Sequence, residues 1–173
     1  GGQDNDLIFG NLGQDFLVGG ANNDTVFGGK ENDLLFGGSG NDALFGELGV
    51  DFLQGVDSGQ SGETPQFGLG EIDTLTGGVE GDFFILGDEN RSFYLGSGNN
   101  DYAIITDFLV GEDIILLQQT DNVVLTNFSI NGLGTGVGIF VKTGSQDELI
   151  GFVQGLSADR LTLKVDVIGL KEL

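Results

Sequence analysis

The chain has 173 residues, 39% of them apolar, and carries 27 acids against 6 bases, a formal net charge of −21. The apolar share suits one domain, or two small ones sharing a sheet, and excludes a simple disordered acidic tail; the charge disfavours nucleic acid and anionic membrane as partners and attracts cations. With neither Cys nor His there are no disulfides, no Ser-His or Cys-His pair and no common zinc or copper ligand, and no run of about 18 apolar residues exists to span a membrane.

The acidity is uneven. Residues 1–90 hold 17 acids and only Lys30, whereas residues 91–173 hold 10 acids and 5 bases, so the first half is the candidate cation binder. The chain opens at Gly1-Gly2-Gln3, without Met or a signal peptide. This reads as a processed or excised piece, or as a protein exported without an N-terminal signal.

From residue 1 the sequence repeats every nine residues: GGQDNDLIF, GNLGQDFLV, GGANNDTVF, GGKENDLLF, GGSGNDALF, GELGVDFLQ. Each unit opens with Gly, has Asp at its sixth place (Asp6, Asp15, Asp24, Asp33, Asp42, Asp51) and an aliphatic at its eighth (Ile8, Leu17, Val26, Leu35, Leu44, Leu53). The register breaks at Gly55, and residues 55–67, with the only Pro, Pro65, read as a surface loop. It resumes as GLGEIDTLT and GGVEGDFFI, with Asp73 and Asp82, and returns more loosely as GSGNNDYAI, with Asp101.

Beyond residue 87 apolar, β-branched runs alternate with Gly, Asn and Asp clusters. Tyr102–Phe108, Asp113–Leu117, Val123–Thr126, Val137–Lys142, Leu149–Val153 and Leu161–Val165 read as strands. Ser157–Leu161 makes at most one helical turn. Asp107, Glu112 and Asp113 read as a turn between strands rather than an extra cation site. Residues 1–86 are thus expected to form the repeat domain and 87–173 an all-β cap.

Within each unit, places one to six suit a tight turn, because Gly and Asn tolerate positive φ, and places seven to nine suit a short strand. Two units make one coil. Stacked coils place the eighth-place aliphatics between two parallel sheets, with the Phe residues at places seven and nine outside or on the rim. Asp6, Asp24 and Asp42 should line one edge, and Asp15, Asp33 and Asp51 the other. Neighbouring carboxylates ~4.8 Å apart, the strand spacing, repel unless a dication bridges them. Oxygen donors alone suit Ca²⁺ better than Mg²⁺, zinc or copper. An EF-hand is excluded, because Phe9 stands where that loop needs Gly.

The pattern resembles the G-G-x-G-x-D-x-U-x repeat of the repeats-in-toxin (RTX, haemolysin-type) calcium-binding family. The resemblance implies a right-handed parallel β-roll holding several Ca²⁺ ions between its turns, roughly four to eight. The implied ligands are the sixth-place Asp6, Asp15, Asp24, Asp33, Asp42, Asp51, Asp73, Asp82 and Asp101, with loop carbonyls of Gly2, Gly20, Asn22, Gly29, Glu31, Gly38 and Gly40. Asn11 and Glu47 depart from the second Gly, and Asp4, Asn22 and Glu31 from the fourth. Val50 and Ile72 point to weaker or missing sites there.

The segments GEIDTLTGG, GDFFILG and DYAIITDFLVGEDIILL resemble the end segments of haemolysin-type proteins common in cyanobacteria. That implies type I secretion with an uncleaved C-terminal signal and folding outside the cell. Arg160, Lys164 and Lys171 are read equally as part of such a signal or as surface charge. The expected function is a secreted calcium-binding module rather than an enzyme, with calcium and the type I secretion apparatus as partners and a cell-surface or secreted protein as a further candidate. The alternatives are the C-terminal module of a larger secreted enzyme and a surface-layer or adhesion protein.

Overall fold

The computed structural model describes residues 1–56, 68–88, 90–118, 121–144 and 146–161. The first six units each give a strand: β1 Leu7–Leu12, β2 Phe16–Ala21, β3 Thr25–Lys30, β4 Leu34–Ser39, β5 Ala43–Leu48 and β6 Phe52–Val56. These strands are longer than the three residues expected. They run on through the next unit's opening glycines, because those glycines also pair with the neighbouring coil, as Gly20 does with Gly38. The turn shrinks to the residues between the second Gly and the Asp.

The later units follow as β7 Ile72–Val79, β8 Phe83–Ile85, β9 Tyr102–Ile105 and β10 Ile114–Leu116. Odd strands build one parallel stack, β1-β3-β5-β7-β9, and even strands the other, β2-β4-β6-β8-β10. Beyond β9 the first stack continues through β13 (Asp147–Gln154), β12 (Gly134–Lys142) and β11 (Val123–Ile130) as an eight-stranded sheet. β13 pairs parallel with β9, while β11 and β12 are antiparallel additions. Repeat array and cap therefore share one sheet. No helix occurs among the described residues. Residues 158–160 form a turn, and 162–165 of the strand expected at Leu161–Val165 lie outside the described residues.

Insertion placement differs from the sequence reading. Val56 still pairs with Gly38, so the roll persists through Gly55 and Val56. After the insertion Thr74 pairs with Ala43. Most of the expected loop, 57–67, lies outside the described residues.

The eighth-place side chains fill the space between the sheets. Val26, Leu35, Leu44, Leu53, Leu75 and Phe84 are fully buried, and Ile8 and Leu17 of the end coil are partly buried. Ala103, Ile105, Ile115, Val137, Ile139 and Ile150 continue the same core. Outside, Phe9, Phe27 and Phe45 stack on one sheet, with ring centroids 5.1 and 4.8 Å apart. Phe52 stacks on Phe83 on the other at 4.4 Å. Each ring covers its neighbour's face, which shields apolar surface along the stack.

Apart from Asp4 in the end coil, the named departures from the glycine pattern keep a positive φ. Asn11 and Glu47 at second places, and Asn22, Glu31 and Glu80 at fourth places, all adopt positive φ, between 75° and 80°. A side chain there costs roughly 1–2 kcal/mol. At Gly38 (φ 123°) a Cβ would also strike the backbone carbonyl of Gly20 in the adjacent coil. Glu47→Gly is therefore expected to stabilise the calcium-loaded protein by about 1 kcal/mol, and Gly38→Ala to destabilise it. Thermal unfolding in saturating calcium checks both; a lower Tm for Glu47→Gly would refute the turn argument.

Candidate metal centre

Strand pairing brings the sixth-place aspartates into two columns. The Asp6 N–H donates to Asp24 Oδ1 (2.7 Å), that of Asp24 to Asp42 (2.7 Å) and that of Asp42 to Asp73 (2.8 Å). On the other edge the Asp15 N–H donates to Asp33 (2.8 Å), Asp33 to Asp51 (2.8 Å), Asp51 to Asp82 (2.9 Å) and Asp82 to Asp113 (3.0 Å). From Asp24 and Asp33 onward, each carboxylate is thus anchored through one oxygen to the coil before it.

The second oxygen defines the site. Oδ2 of Asp15, Asp24, Asp33, Asp42, Asp51 and Asp82 is buried and has no hydrogen-bond partner. A buried carboxylate oxygen without a donor is costly, and six repeats of that cost need a common remedy. Asp24, Asp33, Asp42, Asp51 and Asp82 are at most 2% exposed, so bulk water does not supply it.

The surroundings of these oxygens are backbone carbonyls. A Cβ built on Gly19 would lie against both Asp24 Oδ2 and the Gly37 carbonyl; on Gly28, against Asp33 Oδ2 and the Gly46 carbonyl; on Gly46, against Asp51 Oδ2 and the Gly77 carbonyl. First-place glycines thus keep a space lined by a carboxylate and a carbonyl of the next coil. At second and fourth places, carbonyls of Gly2, Asn11, Gly20, Asn22, Glu31 and Glu47 face Gly20, Gly29, Gly38, Gly40, Gly49 and Gly78 along the stack. The Gly2 carbonyl also accepts from the Ala21 N–H (2.9 Å). No three acidic, His or Cys side chains cluster as a metal site among the described residues; the donors are paired aspartates and main-chain oxygens. All-oxygen donors of this kind fit Ca²⁺.

Protonation is pushed the same way by burial. Without metal, burial raises the Asp42 carboxyl to about 8, reinforced by Asp73, Asp24 and Glu71 and opposed by the Asp24 backbone N–H. Burial likewise raises Asp82 to about 7 and Asp51 to about 6. Asp24 and Asp33 are raised by burial too.

Three candidate residues sit differently from the rest. Asp6, in the exposed end coil, uses its Oδ2 to accept the Gly2 N–H (2.7 Å). Asp73 Oδ2 accepts the Tyr94 hydroxyl (2.6 Å). Asp101 is out of register: Asp73 pairs with Ala103, two residues further on. Asp101 accepts the Gly70 N–H through Oδ2 (3.4 Å), and its Oδ1 is buried without a hydrogen bond.

Asp113 is the residue the sequence reading missed. It stands in the second column rather than in a plain turn, with Ile114 pairing Phe83. Its signal was a spacing of 31, the same that separates Asp51 from Asp82. Asp107 ends the roll by accepting the Gly77 and Gly78 N–H groups (3.0 and 2.8 Å). A second ladder also went unread. Fifth-place Asn5, Asn23, Asn32 and Asn41 accept the N–H groups of Asn23, Asn41, Val50 and Ile72. Val50 and Ile72 can only receive this ladder, not extend it.

The fold and its oxygen-lined edges define a calcium-binding parallel β-roll. Residues 1–26 and 18–53 match the family model of the RTX calcium-binding nonapeptide repeat, so residues 1–53 are an array of RTX calcium-binding repeats. Among curated proteins none matches the sequence significantly. Among solved structures, the AlgE6R3 subunit of the mannuronan C5-epimerase from Azotobacter vinelandii aligns at 20% identity over 98% of this chain and 86% of that one, with a TM-score of 0.32.

The pH dependence follows from the raised carboxyls. Folded, metal-free Asp42 holds its proton up to about 8, whereas the ordinary value is 3.8. The metal-free roll therefore gains stability as pH falls through that window, and loses it as pH rises. Calcium affinity runs oppositely, because binding expels those protons. In EGTA the far-UV strand signal should grow as pH falls from 8 toward 5; a signal that stays flat or shrinks refutes the assignment.

Proposed function

We propose that the chain is a calcium-dependent folding module of a secreted protein, whose roll assembles on meeting extracellular Ca²⁺. The observation that carries this is the set of six buried aspartate oxygens without a hydrogen-bond donor. Asp15, Asp24, Asp33, Asp42, Asp51 and Asp82 would hold the ions, with carbonyls of Gly20, Asn22, Gly29, Glu31, Gly38 and Gly40 among the main-chain donors. Gly2 and Asp6 would add an outer position at the exposed end, and Asp101 one outside the columns. Strand-to-strand crossovers of this kind favour the right-handed roll.

In the absence of calcium the net charge of −21 opposes compaction and suits export of an open chain. Extracellular-type sites bind at roughly 10⁻⁴–10⁻³ M, so the low calcium inside a cell would leave them empty. Outside, binding free energy becomes folding free energy. The role proposed is binding and folding, not catalysis.

Circular dichroism with calcium titration, against EGTA and Mg²⁺, tests the reading. Strand signal should appear with a midpoint near 10⁻⁴–10⁻³ M Ca²⁺ and respond weakly to Mg²⁺. The double variant Asp33→Asn, Asp51→Asn should lose bound calcium and shift the midpoint roughly tenfold, about 1.4 kcal/mol. Full strand content in EGTA would sink calcium-driven folding.

A further inference from the structure

Between the ends of the columns, Asp73 alone lacks the unpartnered oxygen; at the ends, Asp6 and Asp113 accept N–H groups of their own turns, from Gly2 and Leu109. Asp73 is fully buried, its Oδ1 accepts the Asp42 N–H (2.8 Å), and its Oδ2 accepts the hydroxyl of Tyr94 (2.6 Å). Tyr94 is itself fully buried. It lies in the connection between β8 and β9, in the half of the chain that builds the cap.

The tyrosine hydroxyl stands where the repeat would place a carbonyl. A Cβ on Gly37 would meet Asp42 Oδ2 and the Gly55 carbonyl. On Gly55 the corresponding pair is Asp73 Oδ2 and Tyr94 Oη. The next residue along the column is apolar, because Asp73 pairs with Ala103. Asp73 therefore has no acidic neighbour on that side with which to share a cation, and a proton donor meets its oxygen instead.

Placing that donor has required an unusual backbone. Tyr94 has φ 57°, a region that bulky residues rarely enter unless the surroundings over-determine it. Among the described residues, the other non-glycine residues with positive φ are Asn or Glu. Gly68 makes room for the ring, since a Cβ there would run into Tyr94 and Val56.

We propose that the Tyr94 hydroxyl takes the place of a calcium ion at Asp73, closing the first column with a side chain of the cap and joining β7 to the cap without metal. The inference rests on the calcium reading above. It makes the Asp73 coil the one buried level of the first column whose carboxylate is satisfied before any ion binds, and so a fixed footing onto which calcium adds the remaining coils.

The test compares the full-length wild type with Asp51→Asn, Asp73→Asn and Tyr94→Phe. Bound calcium is measured by equilibrium dialysis, and amide hydrogen exchange is read in EGTA and in calcium. Asp51→Asn should lose at least one ion, and Asp73→Asn none. In EGTA the wild type should protect amides of β7 and β9, such as Leu75 and Ile105. Tyr94→Phe, which keeps the ring, should lower that protection at least tenfold in EGTA and leave the calcium content unchanged.

An ion lost from Asp73→Asn overturns the proposal while sparing the calcium reading. So does unprotected wild type in EGTA, or unchanged protection in Tyr94→Phe. Calcium content untouched in Asp51→Asn overturns the calcium reading and this one with it. Should Asp73→Asn fail to fold, the exchange comparison of Tyr94→Phe with wild type decides alone.

Discussion

Coils stacked at strand spacing, ~4.8 Å, force the sixth-place aspartates into columns, and the dry edges of the roll keep those columns from water. Asp24, Asp33, Asp42, Asp51 and Asp82 each spend one oxygen on the coil before, as Asp33 does with the Asp15 N–H. The other oxygen is left against a neighbouring carbonyl, with no donor in reach. Two acceptors facing one another repel, and a hard cation reverses the sign. Register, turn shape and the fit for calcium all follow from this one contact.

The glycine pattern serves that contact rather than general flexibility. First-place glycines leave a space between carboxylate and carbonyl that a methyl group would fill. Second and fourth places need positive φ, which is why Asn22, Glu31 and Glu47 can stand in at some cost without moving the carbonyls. Where the fifth place is asparagine it ties the turn exteriors together, so the turn at Asn23 and Asp24 is held by two ladders running in opposite senses.

Roll and cap share one sheet, because β13 pairs with β9 in the sheet that begins at β1. The cap contributes the buried hydroxyl of Tyr94 at Asp73 and the twin acceptor of Asp107 at Gly77 and Gly78. Both replace what a further coil would have supplied: a partner for a carboxylate, and acceptors for the last glycine N–H groups. A repeat array leans only on its neighbours, and here side chains of the second half end it.

The sequence by itself determined the period, the two Asp columns through Asp51, the buried aliphatics from Val26 to Leu53 and the preference for an oxygen-seeking cation. These depend on contacts between units of equal length, so a residue's position in its unit fixes its neighbours in space. Tertiary structure decided the rest. It carried the first column across the insertion to Asp73 and the second to Asp82 and Asp113, slid Asp101 two residues out of line, and set Tyr94 against Asp73. Insertions of other lengths erase the nine-residue count, and strand pairing follows backbone hydrogen bonds and core packing rather than distance along the chain.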